Sequence, residues 1–150
     1  MGKTLRTTGF LSYFLWIFVA CSTGMQSTES SAPLNAINAA IESNLSMGIQ
    51  SYSENRREIT SRPFIVQQSS EAKKNGHHER GRAKVTILGA ERPYTLEVTV
   101  AIEASNGNGD DDYEITRYDE RLATKLLKDI LATIKKYGRS KNVIDDFRSF

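Results

Sequence analysis

RAKVTILGAERPYTLEVTVAIE, residues 82–103, decides the fold. In 82–88, Ala83, Val85 and Ile87 alternate with Arg82, Lys84 and Thr86. In 95–103, Leu96, Val98, Val100 and Ile102 alternate with Thr95, Glu97, Thr99 and Glu103. Successive side chains of a strand point to opposite faces, so each run has one apolar and one wet side. That pattern predicts antiparallel strands covered on a single face. Gly89-Ala90-Glu91-Arg92-Pro93 supplies the turn of a hairpin between them. Arg82 and Lys84 are placed to meet Glu97 and Glu103 across its wet face.

Something must cover the apolar face, and two stretches have the period for it. In 120–137, Leu122, Leu126, Leu127, Ile130, Leu131 and Ile134 recur at helical spacing and form a stripe wide enough for a sheet. Asp119 is its expected N-cap, Glu120 suits the positive N-terminus, Lys135 and Lys136 suit the other end, and Gly138 closes it. Such closely spaced leucines and isoleucines predict a filled core. In 33–47, Leu34, Ile37, Ile41 and Leu45 make a narrower stripe, with Ser31 as N-cap, Pro33 in the first turn and Gly48 at the end. The polar positions of that helix, Asn35, Asn38, Glu42 and Asn44, include no cation, which argues against binding an anionic lipid surface.

Further out the signals shorten. Residues 57–68 contain Ile59, Phe64, Ile65 and Val66, and Pro63 confines them to an edge strand or a strand beginning at the proline. Tyr113–Tyr118 reads as a fourth short strand, with Tyr113 and Ile115 on one side. The polar stretches 69–81 and 104–112 read as mobile loops. The tail beyond Gly138 carries Val143, Ile144, Phe147 and Phe150 and is expected to dock on its own domain. The expected fold is therefore one α+β domain over 33–150, with a small antiparallel sheet of three to four strands and two helices packed on one face.

The N-terminus carries an address. Lys3 and Arg6, without an acid, precede the apolar run FLSYFLWIFVA at 10–20, which ends at Cys21, the one cysteine of the chain. Eleven residues fall short of the roughly 20 that cross a bilayer as a helix, so 1–20 reads as an export signal peptide. Phe18-Val19-Ala20-Cys21 resembles the lipobox of bacterial lipoproteins. That resemblance implies lipidation of the Cys21 thiol and cleavage just before it. Two or three acyl chains hold a protein at a membrane essentially permanently. Ser22 in place of an aspartate implies sorting to an outer membrane, with the domain facing the periplasm or the cell surface. An ordinary cleaved signal with an incidental Cys21 is the competing reading. Residues 22–32, STGMQSTESSA, then read as a flexible tether.

From Cys21 onward the chain holds 18 basic and 18 acidic residues, so the pI near 8.7 belongs to the precursor and nucleic acid is not an expected partner. With Cys21 consumed, no disulfide is possible and the domain must rely on its apolar core. The charge is uneven along the chain: 96–120 is strongly acidic, and 121–150 holds eight basic against three acidic residues.

Little chemistry is signalled. His77-His78-Glu79 lies in a polar stretch, and adjacent histidines do not share the face that metal-binding pairs need. Asn106, Asn108, Asp110, Asp111 and Asp112 offer oxygens to calcium, but the glycine and glutamate of the EF-hand loop do not align, so no metal site is expected there. There is no nucleophile elbow and no phosphate-binding glycine loop. No cofactor and no enzymatic activity are expected.

The expected function is a non-enzymatic, lipid-anchored accessory or assembly subunit of an outer-membrane complex. It would contact the membrane through its N-terminal lipid, and an envelope protein through the wet sheet face, the 106–114 region, Tyr113, or Phe147 and Phe150. The alternative is a periplasmic module binding a small molecule or lipid between sheet and helices. The element order is similar to that of the outer-membrane lipoprotein of the lipopolysaccharide-assembly machinery, a likeness of architecture.

Overall fold

The computed structural model describes residues 24–75, 78–105 and 113–138. The hairpin of 82–103 is its spine, extended at both ends into β5 (Glu79–Leu88) and β6 (Tyr94–Ser105). Their register sets Ala83 opposite Val100, Val85 opposite Val98 and Ile87 opposite Leu96, which puts these six apolar residues on one face. Each long strand then serves two short ones. The first half of β6 pairs with β1 (Gln26–Ser30) and its second half with β7 (Tyr113–Tyr118). Along β5, β4 (Phe64–Ile65) pairs near the start and β3 (Glu58–Ser61) further on, with β2 (Ile49–Tyr52) outside β3. All of these pairings are antiparallel.

The sheet therefore has seven strands instead of three to four, and the reason is chemical. The missed strands are short and polar or only two residues long, so no alternation announces them. Gln26–Ser30, assigned above to the tether, is held by its ladder to Tyr94–Val98 and not by apolar side chains. Pro63 sits between β3 and β4. The strand that follows it is the edge strand, while β3 lies inside the sheet.

Two helices cover the apolar face, as expected. Ile37, Ala40, Ile41 and Leu45 from α1 (Leu34–Asn44), with Ala123, Leu127, Ile130 and Ile134 from α3 (Glu120–Gly138), close one continuous core over Ile59, Val85, Ile87, Leu96, Val98, Val100 and Ile102. Asn44 Nδ2 donates to Thr133 Oγ1 at 2.9 Å and joins the two helices. Asp119 caps α3 through a 2.9 Å bond from the Leu122 N–H, as the sequence predicts. The first helix is shorter than its pattern. Pro33, not Ser31, stands at its N-cap, and it stops at Asn44. Leu45 still buries itself, which explains why the apolar period runs past the helix.

The described part of the stretch 69–81 is not a loop. It forms α2 (Ser70–Asn75), a short third helix whose first turn is capped by Ser69 Oγ accepting the Ala72 N–H at 3.1 Å, and then the first residues of β5. Residues 104 and 105 belong to β6, whereas 106–112 and the tail from 139 lie outside the described residues. Among the described residues no helix is long and apolar enough to cross a membrane.

Candidate functional site

The face of the sheet that the helices leave bare is organised around Glu103. Arg80 Nε lies 2.7 Å from one carboxylate oxygen and Arg82 Nε 2.9 Å from the other. The register places Arg80, not Arg82, directly opposite Glu103, so Arg82 arrives from the diagonal. Lys84 departs from expectation too. It stands opposite Thr99 and Thr60, and it pairs with Glu58 at 2.9 Å in place of Glu97. The two guanidinium groups cover Glu103, and the Arg80 guanidinium also sits 3.5 Å from the centroid of the Tyr113 ring, a cation–π contact.

Beside this cluster β7 carries a bulge, with Thr116 as the extra residue between two ladder positions. Its effect is to aim Ile115 and Tyr118 to the same side, opposite Glu103 and Ala101. Both remain exposed, at 56% and 51%. Gly24, at φ +62°, backs onto Tyr118 so closely that any Cβ there would collide with it.

On the helical side a cleft of about 1190 Å³ opens between residues 64–67 and the first half of α3. Phe64, Ile102 and Leu122 supply apolar walls, and the rim mixes the cations Arg121, Lys125 and Lys128 with the carboxylates Asp119, Glu120 and Asp129. Arg117, which lines the cleft as well, forms a two-pronged ion pair with Glu79. The Glu79 side chain is only 3% exposed and also accepts the Ser69 N–H at 2.7 Å and the Ser69 hydroxyl at 3.1 Å. The Arg117 guanidinium, helped by Ser69 and opposed by burial, holds the Glu79 carboxyl down at about 2. So strong an acid is a poor proton carrier at neutral pH, which is where a general base is poised. What the pair does is mechanical: it ties the start of α2 and β7 to the start of β5.

Glu79, placed above in a hydrated loop with the histidines, is thus buried and committed elsewhere. His78 is exposed, and His77 lies outside the described residues. Among the described residues no group of three or more His, Cys, Asp or Glu side chains is placed to hold a metal. Tyr113 is half-buried under Arg80. The other sequence candidates (Phe18, Val19, Ala20, Cys21, Asn106, Asn108, Asp110, Asp112, Phe147 and Phe150) lie outside the described residues. Sequence reasoning missed both the Glu79–Arg117 pair and the cleft. A signal for the first existed, since Glu79 continues the alternation of Gly81, Ala83, Val85 and Ile87 onto the covered face. Comparison with protein-family models and with curated proteins finds no match for this chain.

Proposed function

We propose that the protein is a lipid-anchored component of the cell envelope, a non-enzymatic accessory or assembly subunit of an outer-membrane complex, which meets its protein partner with the bare face of its sheet. The observation that supports this reading is the pair Ile115 and Tyr118, large side chains left in water next to a carboxylate, Glu103, that two arginines already cover. Exposed apolar side chains gathered on a polar surface mark a contact site. The second reading, a module that binds a small molecule or lipid, has the α3 cleft in its favour.

Photo-crosslinking amino acids at 115 and 118, introduced singly into the full-length protein in cells, test the docking face. A discrete protein adduct at both positions is expected, with none at Asn55, an exposed turn residue at the far edge of the sheet. Equal labelling at all three positions, or none at 115 and 118, would contradict it.

A further inference from the structure

The ladder registers line up one row of residues straight across the bare face. Ile65 of β4 stands opposite Arg80 of β5, Arg80 opposite Glu103 of β6, and Glu103 opposite Ile115 of β7. Read across the four strands, the row is Ile-Arg-Glu-Ile. Its inner members form the 2.7 Å ion pair. Its outer members stand in water, Ile65 at 92% and Ile115 at 56% exposed. Charged and polar side chains on a solvated sheet face need no cover, but isoleucines at both ends of one row are apolar area left without it.

A half-turn about an axis that runs along the strands, midway between β5 and β6, changes this row into Ile-Glu-Arg-Ile. The row is therefore complementary to itself. A second copy laid on the face with that symmetry sets Ile65 over the other copy's Ile115 and Arg80 over its Glu103, and each contact occurs twice. We propose that the bare face joins two copies of this chain in a two-fold dimer, with this row at the contact. The inference rests on the docking face proposed above and names its occupant. On the next row Tyr118 stands opposite Ala101, and Ala101 opposite Arg82. The same half-turn brings Tyr118 of one copy beside Arg82 of the other, whose guanidinium shares Glu103 with Arg80 and gains an aromatic face. Tyrosine and arginine are the residues that interface centres favour. The face is also wide enough. Four to five strands ~4.8 Å apart, along the ten residues of β5 at ~3.4 Å each, cover about 700 Å², close to the ~800 Å² that each partner of a stable interface buries.

The test uses full-length chains carrying Cys21→Ser, so that an introduced cysteine is the single thiol. One preparation carries Ile65→Cys and the other Ile115→Cys, and a short bis-maleimide is added to each and to their mixture. A crosslinked dimer is expected from the mixture and little from either alone. The axis sets residue 65 over residue 115 and holds like positions three strand spacings apart, ~14 Å. Arg80→Glu in both preparations should abolish the dimer, since carboxylates then face carboxylates across the contact. Adding Glu103→Arg should restore it, because Ile-Glu-Arg-Ile is also its own mate, and it rebuilds the pair within each chain should Arg80→Glu alone fail to fold. The doubly exchanged chain should not crosslink to one with the original row. No dimer in the mixture, equal crosslinking of residue 65 to itself, or unselective crosslinking of exchanged to original chains overturns the inference. In the photo-crosslinking experiment above, adducts of twice the chain's mass are expected at 115 and 118. An adduct with a different protein overturns the second copy and leaves the docking face standing, whereas no adduct removes both.

Discussion

Replacing Arg117 with methionine is expected to destabilise the protein by about 2–3 kcal/mol in urea unfolding at pH 7. Removing one partner of a buried ion pair leaves an uncompensated charge, which costs about 3–5 kcal/mol when both partners are buried. Here Glu79 is buried but the Arg117 side chain is 41% exposed, and Ser69 keeps two bonds to the carboxylate, so the lower figure applies. The pH dependence gives a second handle on the same pair. The Glu79 carboxyl sits at about 2 in the folded protein against an ordinary 4.5. A group with a lowered folded value contributes stability that is present above the unfolded value and lost as pH falls through the folded one. The window is therefore pH 4.5 down to 2, and the loss across it is about 3 kcal/mol before discounting for solvent at the guanidinium. Arg117→Met should flatten that acid limb. Unchanged midpoints at pH 7 together with an unchanged acid limb would show that Glu79 is held by something else.

Ile130→Ala is the other large effect, expected at about 3–4 kcal/mol. Ile130 is fully buried midway along α3, and truncating a buried Ile or Leu to Ala costs about 2–5 kcal/mol, with the larger values where the cavity cannot collapse. Packed between a helix and a hydrogen-bonded sheet, this site has little freedom to close. Leu126, one turn earlier and only partly buried, is the internal comparison, and its truncation should cost clearly less. Equal losses for the two in urea melts would mean that α3 does not meet the sheet along the stripe described.

Both predictions concern parts of the molecule that differed in how visible they were in the sequence. The hairpin and α3 were legible because their periods persist over many residues and agree with their caps: Asp119 is both the expected and the observed N-cap. Most of the rim of the sheet was not, because β1 owes its place to a backbone ladder on β6 and β2 to one on the short β3, whereas the edge strand after Pro63 was announced by the proline. A ladder leaves no trace in a polar sequence such as QSTES. Pairing across the wet face was half legible: Arg82 does meet Glu103, but Arg80 stands directly opposite it, and Lys84 pairs with Glu58 instead of Glu97. The bulge at Thr116 is a similar case, since simple alternation cannot place Ile115 and Tyr118 on the same side. The Glu79–Arg117 pair joins residues 38 positions apart, beyond what local pattern carries, although the alternation of β5 did mark Glu79 as facing the covered side.

These observations also bear on how the domain is held. With β1 starting at Gln26, little chain separates the N-terminal apolar run from the folded domain, so the proposed anchor there would keep the domain close to a membrane rather than on a long lead. The proposed docking face would then stand near that membrane, a placement that depends on Cys21.

Intact mass with membrane fractionation, for the wild type and Cys21→Ala expressed in a Gram-negative host, tests this most directly. A membrane-bound chain that begins at Cys21 and carries acyl chains, with the acyl mass lost in the variant, is the result expected. A chain without added lipid, or one whose mass and location are the same with and without Cys21, would contradict the lipid anchor and the envelope role built on it.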